Sequence, residues 1–160
     1  MKLLLEYRKS YTAGLLQSKA FRILKKKTNE VLEPLGINAT DWGVLGLLLK
    51  EPKGLRLSDI SKEVGVKAPY ITKSINNLEK LGYVSVGVHA SDTRAKIATV
   101  TKTGTAFVSQ AEKLVAKQLK FVFKNVPIRD LLGYVRTLDV VVRDFKDTAA
   151  EVELGHMSED

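Results

Sequence analysis

Residues 57–81, LSDISKEVGVKAPYITKSINNLEKL, hold two helical patterns with almost no chain between them. A turn of three or four residues makes two such helices cross instead of running side by side, and this constrains the fold more than any other feature of the chain. Ser58 is placed to cap a short helix that reaches Val64, and Gly65 can stop that helix in a left-handed conformation. Val66 and Lys67 are left as the turn. Pro69 then falls in the first turn of the second helix, where a missing N–H costs nothing. Ile71, Ile75, Leu78 and Leu81 recur at steps of four and three, an apolar stripe on a helix that Gly82 ends. Tyr70, Lys73, Asn76, Asn77 and Lys80 occupy the opposite face. A second helix that offers cations and amide donors on its free face is the shape that enters a DNA major groove.

The chain continues as Tyr83–Val88, the polar tip HASDTR, and Ala95–Thr101. Strand-forming residues on both sides of a polar tip predict a β-hairpin. Asp92 and Arg94 are two apart, on one side of extended backbone, so the carboxylate can steady the arginine stem and aim its guanidinium outward. An arginine so placed suits a narrow minor groove; an ordinary surface ion pair there contributes little.

Three apolar helical patterns flank this centre. From about Ser10 to Leu32, Tyr11, Leu15, Phe21, Leu24, Val31 and Leu32 with Leu16, Ala20 and Ile23 form a broad arc, closed by Pro34 and Gly36. Its Lys25-Lys26-Lys27 run is expected to be a solvated face. Asn38–Asp41 supplies capping side chains for the nearly all-apolar segment from Trp42 to Leu49, which must lie in the core and ends at Glu51-Pro52-Lys53-Gly54. Thr103 is expected to cap a helix reaching Lys124, Asn125-Val126-Pro127 to break it, and a last helix to run from Ile128 to about Ala150. The first and the last two helices carry more apolar surface than a small winged core can cover, which predicts a dimerisation layer.

The formal charge is +8, unevenly spread: residues 1–138 hold 24 basic and 11 acidic side chains, residues 139–160 hold 2 and 7. A basic body suits a polyanion, since neutralised phosphates release counterions. Absence of cysteine removes disulfides, thiol redox sensing and cysteine-ligated zinc. MKLLLEYRKS is too short an apolar run for a signal or a membrane span, so a cytoplasmic protein is expected, with no membrane contact. No paired acid and base, nucleophile constellation or glycine-rich phosphate loop is visible. Neither an enzymatic activity nor a cofactor is expected, and His89 and His156 form no metal-binding cluster.

The segment LSDISKEVGVKAPYITKSINNLEKLGYVSVGVHASDTRAKIATVTKTG resembles the signature region of MarR-type winged helix-turn-helix transcription regulators. The likeness rests on Leu78-Glu79-Lys80 with Leu81-Gly82-Tyr83, on Asp92-Thr93-Arg94, and on Val100-Thr101 with Thr103-Gly104. It implies a mostly α fold with a small β-hairpin wing: one domain over 1–150, a winged core at about 37–101, dimerisation helices at about 10–35 and 103–150, and an acidic tail at 151–160. It further implies a homodimeric repressor bound to a pseudo-palindromic double-stranded DNA operator. By position, Ala68, Pro69, Tyr70, Thr72, Lys73, Ser74, Asn77, Arg94 and Lys96 would meet DNA. Lys73 stands where the family often has arginine, and Thr93 replaces one of two wing arginines, so the wing would bind with Arg94 alone. The family often releases DNA when a small aromatic effector enters a cleft, for which Tyr11, Trp42, Phe107 and Phe121 are the candidates here. The alternative function is a winged-helix module that binds protein and no operator.

Overall fold

A computed structural model describes residues 10–89 and 92–144, with backbone only at residues 10, 89 and 92–95. The order is α1 (Ser10–Leu32), a 3-10 turn (Glu33–Leu35), α2 (Ala39–Lys50), β1 (Leu55–Arg56), α3 (Leu57–Val64), α4 (Ala68–Lys80), β2 (Val84–His89), β3 (Asp92–Val100), α5 (Lys102–Val122) and α6 (Ile128–Asp144). The chain forms two compact units, one up to Val122 and the other from Phe123. The architecture is mostly helical with a small antiparallel wing, as expected.

The first unit is built on the buried faces of α2, α3 and α4. Val44, Leu45 and Leu48 of α2 meet Ile60 of α3 and Ile71, Ile75 and Leu78 of α4, all essentially without solvent access. Burying each of the leucines and isoleucines is worth about 1.5–3 kcal/mol. Leu32, Val84, Ala98, Ala111 and Val115 extend this core to α1, the wing and α5. The turn between α3 and α4 forms as expected: Gly65 is left-handed at φ 68° and ψ 35°, and Pro69 lies in the first turn of α4. The Ser61 hydroxyl closes the turn by donating to the Val66 carbonyl at 2.6 Å.

Several details differ from expectation. The wing has three strands in the order β1-β3-β2, with Leu55 opposite Ala98 and Arg56 opposite Ile97. A two-residue strand is too short for alternation to reveal. The hairpin is also longer at its tip, since β2 reaches His89 and β3 starts at Asp92, with an irregularity after Val88. Helix α3 begins at Leu57, so Ser58 lies inside it and Arg56 precedes it without a side-chain cap.

Thr103 is not the cap of α5. Thr101 is: its Oγ1 accepts from the Gly104 N–H at 2.9 Å and donates to the Gly82 carbonyl at 2.7 Å. Thr101 thus also ties the start of α5 to the exit of α4. Gly104 is held against the Tyr83 carbonyl so closely that a Cβ would collide with backbone. Helix α5 ends at Val122, two residues short of Lys124. Residues 145–150 of the expected last helix, and the acidic tail, lie outside the described residues.

On α1, Tyr11, Leu15, Leu16, Phe21 and Ile23 are exposed, and only Leu32 of the expected arc is fully buried. Helix α1 packs along α5. In the second unit, α6 buries none of its residues: Leu132, Val135, Leu138, Val141 and Val142 are all exposed. Among the described residues no helix is long and apolar enough to cross a membrane.

Thr101→Ala should cost about 1–2 kcal/mol of stability, the value of a strong N-cap, whereas Thr103→Ala should stay within about 0.5 kcal/mol. Gly104→Ala should cost about 1–3 kcal/mol through overpacking. Denaturant melts of the three variants check the ranking.

Candidate nucleic-acid interface

The stripe that seats α4 decides what its other face can do. Because Ile71, Ile75 and Leu78 point inward, Ala68, Pro69, Tyr70, Thr72, Lys73, Asn76 and Lys80 are left exposed. Tyr70 keeps 66% of its surface open to solvent. Such an exposed ring on a basic helix is unexplained by packing. The Thr72 hydroxyl donates back to the Ala68 carbonyl at 3.1 Å, which tightens the first turn. Together with Asn38 and Thr40 at the start of α2, all of these side chains except Ala68 line an open concavity of about 720 Å³. Its rim carries Lys73 and Lys80.

Not every residue expected to meet DNA faces this concavity freely. Ser74 is 5% exposed, and its hydroxyl donates to Asp41 Oδ1 at 2.5 Å. It is bonded to α2 and, with Asn77, is also among the residues that line the concavity. Asn77 is half-buried and donates its amide to the Gly36 carbonyl at 3.1 Å and to Asp41 Oδ2 at 3.3 Å. Its donors are already engaged within the fold. Asn76, expected only as part of the free face, lines the concavity directly.

Asp41 joins these bonds to the start of α2. Asn38 caps that helix by accepting from the Thr40 and Asp41 N–H groups at 2.8 and 3.2 Å, and Asp41 returns the bond by accepting from Asn38 N–H at 3.0 Å. This is a reciprocal capping box. The sequence pattern reveals the caps but carries no signal for the second role of Asp41, since the partner on α4 is 33 residues away.

Strand β2 of the wing packs against α4 and pairs with β3. Lys96 is exposed and stands opposite Val88. Arg94 has its backbone in β3, and its side chain, like that of Asp92, lies outside the described residues. The lysine run on α1 is held locally: Lys27 is 2.7 Å from Glu30, and the Lys25 ammonium stands 6.0 Å over the Phe21 ring.

The four aromatic side chains expected to hold an effector are not gathered at these hollows. None lines the concavity on α4 or the smaller one on α1 between Arg22 and Glu33. Phe107 is half-buried and stacks on Tyr83, with ring centroids 4.1 Å apart and planes at 17°. Trp42 is half-buried against the core, while Tyr11 and Phe121 are exposed. Among the described residues no group of three or more metal-ligating side chains is close enough to hold an ion.

A helix-turn-helix, a three-stranded wing and long flanking helices define a winged helix-turn-helix protein. A sequence model of the MarR family matches residues 35–95. The chain is 33% identical over 100 residues to the uncharacterized HTH-type transcriptional regulator YwoH of Bacillus subtilis (strain 168), covering 62% of this chain and 69% of that protein. The chain belongs to the MarR family of transcription regulators, a non-enzymatic family. Its fold is that of a MarR-family regulator from Rhodococcus sp. RHA1, with a TM-score of 0.77 at 21% identity over 82% of this chain and 93% of that one. It is similar also to the repressor CouR of Rhodococcus jostii RHA1 at 22% identity over 81% of this chain. For CouR on a 23-mer DNA duplex the TM-score is 0.73 over 91% of its chain, and for CouR holding p-coumaroyl-CoA it is 0.71 over 90%.

The geometry separates the two kinds of residue on α4 by their cost. Tyr70→Ala should leave stability within about 0.5 kcal/mol, as for other open surface sites. Ser74→Ala should cost about 1–3 kcal/mol, because it leaves a buried carboxylate oxygen short of a donor. Urea denaturation of both variants tests this assignment.

Proposed function

We propose that the chain binds a pseudo-palindromic operator as a homodimer and represses transcription by occupying it. The observation that carries this reading is the free face of α4, where Pro69, Tyr70, Thr72, Lys73, Asn76 and Lys80 stand together around a concavity that the core does not use. A helix of this width fits the major groove, which admits one helix with its base-reading side chains. Lys73 brings a point charge suited to phosphate or to a guanine edge, without the planar fork of an arginine. Arg94 and Lys96 on the wing serve the neighbouring minor groove and backbone, so α4 carries most of the sequence preference. The DNA-bound form of CouR lends this mode support, since the two chains share one fold.

Two copies are needed for a palindromic site, with recognition helices about one helical turn, roughly 34 Å, apart. The apolar side chains left open on α1 and on α6 supply the surface for a second copy. Release by a small aromatic effector completes the reading and draws on CouR holding p-coumaroyl-CoA. The candidate residues for this role are Tyr11, Trp42, Phe107 and Phe121, and Tyr83 covers one ring face of Phe107.

Selection of duplexes from a random library by the purified protein should return a two-fold symmetric sequence, and recovery of no sequence preference overturns the reading. Against the selected duplex, Lys73→Ala and Arg94→Ala should each lower affinity while the dimer stays intact by sedimentation. Each phosphate that a variant no longer neutralises should make the slope of log K against log salt shallower by about 0.9. Unchanged affinity in both variants would show that another surface meets DNA.

Removal of the chain after Val126 should give a monomer by light scattering and abolish operator binding with it. A truncated chain that stayed dimeric and bound normally would place the dimer interface elsewhere.

A further inference from the structure

We propose that Asp41 is a positioning residue for DNA reading: its buried carboxylate fixes the rotation of α4 about its own axis and so aims Tyr70 and Lys73. The inference rests on the DNA-binding role of α4 given above. Asp41 is 1% exposed, so its effect on DNA must pass through the side chains it holds. Three donors converge on it, Ser74 Oγ on Oδ1 and, on Oδ2, the Asn38 backbone N–H and Asn77 Nδ2. Asn77 extends the tie to the Gly36 carbonyl. Within α4, residues 74 and 77 are three apart and lie on one flank, between the buried stripe and the free face.

Apolar packing alone does not fix such a setting. The stripe of Ile71, Ile75 and Leu78 holds α4 down, yet hydrophobic attraction has no preferred direction. Hydrogen bonds do, and two from one flank resist rolling of the helix. A roll of about 10° moves an atom at the roughly 6 Å radius of a helix surface by about 1 Å. That is beyond the roughly 0.5 Å tolerance of a recognition constellation. A carboxylate suits the position because every partner donates. An amide offers one accepting oxygen, and its NH2 end would face a donor or force the Ser74 hydroxyl to turn round.

The test compares wild type, Asp41→Asn, Ser74→Ala and the double variant on two probes: a duplex selected by the wild-type protein from a random library, and a shuffled duplex of the same composition. Binding is measured across a salt series, well below the melting temperature of each variant. Asp41→Asn and Ser74→Ala should each lose about tenfold of the selected-over-shuffled ratio, the scale of one mismatched base pair, with the salt slope unchanged. The double variant should lose no more than either single one, because both break the same link. Ser74→Ala leaves the capping box of α2 intact, so it reports on the tie even where Asp41→Asn folds poorly. A lower melting temperature with an unchanged ratio, or losses that multiply in the double variant, overturns the positioning role. If wild type selects no sequence at all, the DNA-binding reading fails and takes this inference with it.

Discussion

The structure depends on the seating of α4. Its three inward side chains, Ile71, Ile75 and Leu78, sit among Val44, Leu45 and Leu48 of α2 and Ile60 of α3, with almost no solvent reaching any of them. A helix has one circumference to divide, and once this arc is buried the remaining positions are committed to the outside. Exposure of Pro69, Tyr70, Lys73 and Asn76 is therefore a consequence of where the core lies. The short turn at Gly65 makes the seating obligatory, since it leaves α3 and α4 no freedom to separate.

Two polar ties supplement this apolar seat, one within the helix and one past its end. Near its middle the Asp41 carboxylate binds Ser74 and Asn77. Beyond its end, Gly82 and Tyr83 present carbonyls to the Thr101 hydroxyl, which in turn caps α5. The Tyr83 ring stacks on Phe107 one turn further along α5. Through this joint a displacement of α5 would be felt at the exit of α4 and at the root of the wing, because the close approach at Gly104 leaves no slack. The start of α5, the exit of α4 and the root of the wing thus share one junction.

Much of this was legible in the residues, and the part that was not has a common cause. Patterns confined to one helix or one turn read correctly: the α4 stripe of Ile71, Ile75 and Leu78, although Leu81 lies past the helix end and is exposed, the left-handed Gly65, the caps of α2 and the end of α1 at Leu32. What failed required knowing a partner distant in sequence. The bond from Ser74 to Asp41 has no signature in either segment taken alone. Thr101 and Thr103 are equally plausible caps, and only the carbonyls of Gly82 and Tyr83 select Thr101. Strand β1 exists because β3 offers it an edge; Leu55 and Arg56 alone carry no strand pattern.

The exposed apolar surface is unevenly distributed, and this bears on how a symmetric assembly would be built. On α1, open positions such as Tyr11 and Phe21 alternate with the lysines and with Arg22, so that helix is mixed in character. Helix α6 concentrates Leu132, Val135, Leu138, Val141 and Val142 along seventeen residues with nothing buried. An amphipathic helix gains most of its stability from packing that face, and one without such packing is marginal at this length. Covering that apolar face would therefore stabilise the helix itself. Helices α2 to α5, by contrast, are held by the buried cluster that they share.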